Sequence, residues 1–253
     1  MRLAVISDIH SNLEAFQAVM DDISKLSIDD TVSLGDNIGY GAQPEEIIEN
    51  LKHYSITSVL GNHELALLDS DYLKTFGPFA RKALKINKKK LSDKALRYIA
   101  TLQPFLVRYG CRFVHGTPPD TIARYIFNES KQRLINIMTR LKQKITFVGH
   151  THQLVIYGLD HGVLKKKKLL NCRLSLAKSM KYIINTGSVG QPRDSYNEAT
   201  YIIWDSDRYT IEPRFVPYDY HNAAKKIKKA GIPEQYAEIL RNQKGELNAQ
   251  ITK

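Results

Sequence analysis

The sequence predicts an α/β fold, and two observations carry that reading. Short apolar strand runs alternate with amphipathic helical stretches over residues 1–61, the pattern of a sheet flanked by helices. Five strand runs along the chain also end in Asp, Asn or His, beside a glycine in four cases. Ligands of open α/β sheets collect at that carboxyl edge.

Arg2–Ser7 is a short β-branched run and reads as a buried strand. Asn12–Lys25 carries Leu13, Phe16, Val19 (or Met20) and Ile23 on one helical side. Thr31–Leu34 is a second strand, followed by the turn Gly35-Asp36-Asn37. Pro44–Leu51 is a short helix with Pro near its start, and Ile56–Leu60 is a third strand ended by Gly61. Residues 64–103 lack strand runs and carry helical patterns, among them Ser92–Leu102 with Ser92 as N-cap. This stretch is expected to form a helical insertion over that carboxyl edge of the sheet.

Phe105–Tyr109 and Arg112–His115 return to strand, Lys131–Lys142 is an amphipathic helix, and Ile145–Val148 is another strand. Beyond Gln153 the pattern is β-rich: Leu154–Tyr157, Tyr182–Asn185, Thr200–Trp204 and Tyr209–Val216, with turns at Asp160-His161-Gly162 and Asp205-Ser206-Asp207. Residues 217–253 are polar and Lys-rich, a C-terminal helical tail expected to fray at its end. No internal repeat or linker interrupts the chain, so residues 1–253 read as one domain.

Hydrophobic residues make up 43% of the 253 and charged residues 25%, ordinary values for a globular protein. The net charge of +11 implies affinity for anions such as phosphates, nucleic acid or a membrane surface. Cys111 and Cys172 are far apart, which excludes a disulfide framework or a zinc finger and suits reduced thiols. The apolar run at Leu3–Ile6 is too short for a signal segment or a membrane span. A cytoplasmic location and no membrane partner are therefore expected; the oligomeric state is not indicated.

The chemistry sits at the strand ends. Asp8-Ile9-His10, Gly35-Asp36-Asn37, Gly61-Asn62-His63-Glu64, His115-Gly116 and Gly149-His150-Thr151-His152 each close a strand run, and they hold five of the eight histidines. On a strand, residues i and i+2 point the same way, so Asp8 with His10 and His150 with His152 can each converge. A set of carboxylate, amide oxygen and imidazole without thiolate suits Mn, Fe, Zn, Co or Ni better than Mg or Ca. A central carboxylate such as Asp36 can bridge two ions, which then lie about 3.5–4 Å apart. His53, His161 and His221 lack such contexts and are read as structural or solvated.

The order D-x-H, G-D, G-N-H-E, H-G and G-H-x-H, across residues 1–216, resembles the calcineurin-like metallophosphoesterase superfamily. Through Leu34–Gly41 and Asn185–Arg193 the chain is similar to its small YfcE-like predicted phosphodiesterases. The resemblance implies a four-layer αββα sandwich of two mixed β-sheets flanked by helices. It implies one metal held by Asp8, His10, Asp36 and His152, and a second held by Asp36, Asn62, His115 and His150, with Asp36 bridging. His63 would be no ligand but a general acid near the leaving group. Two divalent ions, manganese favoured, would serve hydrolysis of a small phosphate ester or nucleotide. Arg193 is the candidate for a further substrate-phosphate contact, since guanidinium matches phosphate geometry; a structural salt bridge is the competing assignment.

Two departures shape the expectation. The protein phosphatases of this superfamily carry G-D-x-x-D-R, and here the stretch is Gly35-Asp36-Asn37-Ile38-Gly39-Tyr40. That leans the substrate toward phosphodiesters. The common Asn-Pro-Gly-Ser is Asn185-Thr186-Gly187-Ser188 here, which changes loop stiffness more than chemistry. The alternatives are a nuclease and a non-catalytic scaffold on the same fold; the presence of His63 favours an enzyme. The basic runs Lys88–Lys90, Lys165–Lys168 and Lys225-Lys226-Ile227-Lys228-Lys229 read as solvated faces and hairpin tips. Arginines and aromatics are not concentrated in them, so a nucleic-acid surface is the lesser reading.

Overall fold

The computed structural model describes residues 1–193 and 197–241; the end of the expected C-terminal tail, 242–253, lies outside the described residues. Along the chain run β1 (Arg2–Ile6), α1 (Leu13–Ser24), β2 (Asp30–Ser33), α2 (Pro44–His53), β3 (Thr57–Ser58), α3 (Asn62–Leu68), α4 (Ser70–Lys74), α5 (Pro78–Lys90) and α6 (Asp93–Ile99). They are followed by β4 (Phe105–Arg108), β5 (Cys111–Val114), α7 (Lys131–Arg140), β6 (Ile145–Val148), β7 (Leu154–Asp160), β8 (Val163–Lys168), β9 (Leu174–Ser175), β10 (Lys181–Thr186), β11 (Glu198–Asp205), β12 (Thr210–Pro217), α8 (Tyr220–Lys229) and α9 (Gln235–Arg241).

Two mixed six-stranded sheets result, ordered β3-β2-β1-β11-β12-β9 and β4-β5-β6-β10-β7-β8. In the first, β1 pairs parallel to β2 and antiparallel to β11. In the second, β6 lies parallel between β5 and β10. The period of two along β1 explains how one strand serves two layers. Leu3 and Val5 join Phe113, Phe147, Ile184 and Trp204 in the core between the sheets. Ala4 and Ile6 face the other way, onto Phe16 and Val19 of α1 and Ile47 and Ile48 of α2. On the outer face of the second sheet, Leu134 and Met138 of α7 cover Val114, Val148 and Ile183. The result is four layers, helix on sheet on sheet on helix. Burying a side chain such as Phe16 is worth roughly 1.5–3 kcal/mol.

The helical insertion forms as α3 to α6, and Ser92 caps α6 by accepting from Ala95 N at 3.1 Å. The third strand is shorter than its apolar run, because Leu60 N donates to the Gln103 carbonyl (2.8 Å) and Val59 bridges to the same residue. The Lys165–Lys168 run is the edge strand β8, where exposed lysines blunt edge-to-edge pairing.

The polar, Lys-rich stretch expected as a helical tail does form helices, α8 and α9, but they pack onto the body, with Ala223, Ala224, Ile227, Tyr236, Ala237 and Leu240 buried. In α8 the apolar positions are spaced helically among lysines, so composition hid the stripe that periodicity carries. No helix among the described residues is long and apolar enough to cross a membrane. Cys111 is buried and Cys172 exposed, both as free thiols.

Candidate metal centre

The polar strand-end residues meet where β1, β2, β5 and β6 open at their carboxyl ends, with Asn62 and His63 in the first turn of α3. Asp8 with His10, and His150 with His152, do not sit as i and i+2 on one face of a strand: β6 ends at Val148, before His150, and β1 ends at Ile6, before Asp8 and His10. The backbones of Asp8 and His10 are left-handed, with φ of 54° and 48°. Asp36 (50°), His150 (67°) and His152 (59°) share that conformation. Non-glycine residues rarely adopt it, and each such position costs on the order of 1–3 kcal/mol. The loops are held there by packing: Asp8 N donates to the Gly35 carbonyl (3.0 Å) and His10 N to the Asp36 carbonyl (2.9 Å).

Asp36 is the centre of the constellation. Its Oδ2 lies 3.3 Å from His115 Nε2 and 3.8 Å from both His10 Nε2 and His63 Nε2. Its Oδ1 accepts from His63 N at 2.8 Å. Asp8 Oδ1 lies 3.3 Å from His152 Nε2 and 3.7 Å from His10 Nε2, and Asn62 Oδ1 lies 3.0 Å from His115 Nε2. Three groups thus have ligand atoms close enough for one ion: Asp8 with His10 and His152, Asp36 with His115 and His150, and His10 with Asp36 and His63.

The side chains fit metal ions by two further criteria. Each of four histidines commits one ring nitrogen to a backbone carbonyl and turns the other inward. His10 Nδ1 meets Ile38 O (3.1 Å), His115 Nδ1 meets Leu34 O (2.8 Å), His152 Nδ1 meets Gln191 O (2.6 Å), and His150 Nε2 meets Ala123 O (3.0 Å). Such bonds fix tautomer and orientation in metal-ligating histidines. In addition, Asp8 Oδ1 is buried without a hydrogen-bond partner, an arrangement that is costly unless a cation satisfies it.

The electrostatics follow from burial and crowding. Burial pushes His63 down to about 4 and His150 to about 3, against the pull of Asp36. Burial also opposes protonation of His115, but Asp36 and Asp8 outweigh it and raise His115 to about 9. Burial would raise Asp36, yet His115 and His63 hold it well below the usual carboxylate range. Carboxylates and neutral imidazoles are the forms that ligate metals, so an ion bound here would displace the proton of His115.

Residues with no obvious ligand chemistry build the frame. The buried Glu64 accepts four N–H bonds: from Asp36 N (3.0 Å) and Gly61 N (3.1 Å) on Oε2, and from Asn37 N (2.7 Å) and Asn37 Nδ2 (3.1 Å) on Oε1. Burial and the Asp36 charge push its carboxyl up to about 7, against those donors. Asn87, buried within the Lys-rich helix α5, accepts from Ser11 Oγ (2.9 Å) and Gly39 N (2.7 Å) and donates to Gly41 O (3.0 Å). Gly39, at φ 96°, leaves room for His63; a Cβ there would overlap the imidazole. Ser188 donates to Asp8 O and accepts from Gln191 N, both at 2.9 Å, so the Asn185–Arg193 stretch braces His152. Neither Glu64 nor Asn87 was assigned a role from the sequence, and only the Glu in G-N-H-E gave a signal.

Aromatic rings crowd the centre as well. Tyr40 lies 4.4 Å from the His10 ring and 4.5 Å from the His63 ring, and Tyr236 of α9 stacks on Tyr40 at 4.5 Å. Phe76 of the helical insertion meets His63 edge-on at 5.2 Å. The Arg193 charge reaches the centre too, depressing His152 and His150 alongside their burial. His53, His161 and His221 stand exposed, away from it.

An αββα sandwich with buried Asp, Asn and His gathered at its strand ends is the architecture of a metallophosphoesterase. The model of the calcineurin-like phosphoesterase superfamily domain matches residues 1–208, and the chain belongs to that superfamily. It is 35% identical over 244 residues to an uncharacterized protein of Methanocaldococcus jannaschii, covering 94% of this chain and 96% of the relative. A solved metallophosphoesterase from Sphaerobacter thermophilus superposes with TM-score 0.84 at 31% identity, over 96% of this chain and 100% of that one. A hypothetical protein from Pyrococcus horikoshii superposes at TM-score 0.78 and 19% identity, over 94% and 97% of the two chains, which speaks for the fold alone.

Proposed function

We propose that the protein hydrolyses phosphate esters, phosphodiesters by preference, at a dinuclear divalent-metal centre. The carrying observation is that Asp36 Oδ2 faces imidazoles of both ligand groups, His10 at 3.8 Å and His115 at 3.3 Å. One ion would be held by Asp8, His10, Asp36 and His152, the other by Asp36, Asn62, His115 and His150. Manganese is the favoured metal of the set Mn, Fe, Zn, Co and Ni, given N and O donors without thiolate. When bound, the pair supplies a Lewis-acid pull on phosphoryl oxygens and lowers the pKa of water toward neutrality.

The chain's own residues do the rest. The four carbonyl-anchored imidazoles hold their free nitrogens in place before substrate arrives. His63 carries the transferable proton at Nε2, the nitrogen that faces Asp36. Burial lowers the pKa of this imidazole in the metal-free chain against the pull of Asp36, and that carboxylate is the nearby negative charge that favours its protonated form. His63 then protonates the departing alkoxide. Arg193 offers positive charge to the phosphoryl group from the loop that braces His152.

The test is hydrolysis of bis-p-nitrophenyl phosphate against p-nitrophenyl phosphate with added manganese. Manganese-dependent turnover that is faster on the diester is expected. Faster turnover of the monoester would overturn the diester preference. No turnover of either, with metal bound, would assign a scaffold.

A further inference from the structure

The Lys runs lack interleaved aromatics and arginines, but tertiary structure assembles both around residues 119–133. The middle of this segment leans on the metal centre. Ala123 O accepts from His150 Nε2 at 3.0 Å, and the Tyr125 ring stacks on the His150 ring, centroids 3.9 Å apart and planes 18° apart. Phe127 stacks on Tyr125 at 4.9 Å and 19°, yet is 46% exposed. The two ends of the segment line a cleft of about 700 Å³: Pro119 and Arg133 face it together with Arg112, Arg140 and Lys142. Arg112 is braced by Pro119 O (2.7 Å) and by the Phe105 face (4.3 Å), and Arg133 pairs with Glu129 (2.7 Å). Among the described residues, Arg140 and Lys142 have no carboxylate partner.

We propose that this segment and its cleft form a track for single-stranded nucleic acid, running up to the metal centre. Cations in the cleft would take backbone phosphates, and the open face of Phe127 would stack a base. Base stacking tolerates any sequence because every base has a π-face. It also requires unpaired bases, which selects a single strand over a duplex. Cleavage of a bound strand rests on the phosphoesterase reading; binding does not, so the two can fail separately.

The test is anisotropy of a labelled oligothymidylate with the full-length protein in chelator, which prevents turnover. Binding should weaken linearly in log salt, by about 0.7 per phosphate neutralised. Phe127→Ala should weaken it roughly tenfold at fixed salt with the slope unchanged, and Phe127→Trp should restore it. Arg140→Ala with Lys142→Ala should make the slope shallower by about 1.4. Replacing Lys165–Lys168 by alanine should matter less than that double variant. Unchanged affinity in Phe127→Ala overturns the track, since a bare polyanion site would not sense a neutral ring. So does a larger loss from the Lys165–Lys168 variant. If binding behaves as expected but manganese then gives no cleavage of the strand or of small esters, the phosphoesterase reading fails and the binding track stands.

Discussion

Asp36 Oδ2 and His115 Nε2 face each other at 3.3 Å, while His115 Nδ1 is tied to Leu34 O at 2.8 Å. The donor–acceptor axis thus runs from the backbone of the β2 end, through the imidazole, back to the carboxylate two residues further along. Asp36 cannot move without disturbing His115, and its own Oδ1 is fixed by His63 N. Asp36→Ala should therefore empty the centre of both metals, measured as metal content after dialysis. Retention of both ions in this variant would remove Asp36 from the bridging position.

His63 also stands 3.8 Å from Asp36 Oδ2, so geometry alone permits it to be a ligand or a proton donor. The two roles separate in the variant. His63→Ala should keep both metals and lose about 10²–10⁴ of turnover on an alkyl ester, the range for a positioned acid, and less on a p-nitrophenyl ester, whose leaving group needs little protonation. Loss of an ion instead would make His63 a ligand and leave the leaving-group proton to another residue.

The gathering of these polar side chains was legible because Asp, Asn and His stand out at strand ends: Asp8, His10, Asp36, Asn62, His63, His115, His150 and His152 come together at one buried centre. Their backbone state was not legible. Five of them sit at positive φ, and only the tertiary hydrogen bonds to Gly35 O, Asp36 O and their neighbours stabilise that. Asn87 was invisible for a related reason: one amide in a helix ending Lys88-Lys89-Lys90 acquires meaning only when Ser11, Gly39 and Gly41 are folded against it. The helices of residues 220–241 were legible, but their buried apolar stripe was not, because composition outweighed periodicity. Tyr125 and Phe127 became notable only beside His150.

Asn87→Leu tests that buried amide. The change leaves Gly39 N and Gly41 O without the partners Asn87 supplies, at about 1–3 kcal/mol for each group. At about 2–4 °C per kcal/mol for a chain somewhat smaller than this one, a fall in Tm of several degrees is expected. Weaker manganese binding should accompany it, since Ser11 and Gly39 flank the His10 and Asp36 loops. A Tm within a degree or so of the parent would mean water replaces the amide.

Away from the centre, Asp22 of α1 accepts from Arg214 Nη2 (2.8 Å) and Nε (3.1 Å) and from Tyr201 Oη (2.7 Å). Partial burial works to raise this carboxyl, and those bonds outweigh it and hold it below its ordinary 3.8. The folded state therefore binds this proton less readily than the unfolded chain. The stabilisation is present above the ordinary value and is lost as pH falls through the folded one. Asp22→Asn should be less stable at neutral pH by roughly 1.5–3 kcal/mol, by denaturant unfolding. The gap should close in acid below the folded pKa. A gap that persists there would show that the pair acts through packing and not charge.

Glu64 offers the sharpest separation of frame from ligand. It ties Asp36 and Asn37 of the β2 end to Gly61 of the β3 end through four N–H bonds of 2.7–3.1 Å, two on each oxygen. Glutamine keeps shape and length but has one acceptor oxygen. Its amide group must then point two hydrogens at two N–H donors, either at Asp36 and Gly61 or at the Asn37 pair. Both donors on that side lose their partner, and the loop that presents Asp36 and the start of α3 that presents Asn62 are pushed apart. Glu64→Gln should therefore weaken metal affinity about 10–100-fold, the size seen when supporting partners of ligands are removed, although Glu64 lies outside both proposed ligand sets. Manganese titration followed by calorimetry reads this directly. Thermal unfolding of the metal-free variant should also show a lower Tm, because the donors are buried whether or not metal is bound. If metal affinity were unchanged while Tm fell, the frame would stabilise the fold without setting the ligands.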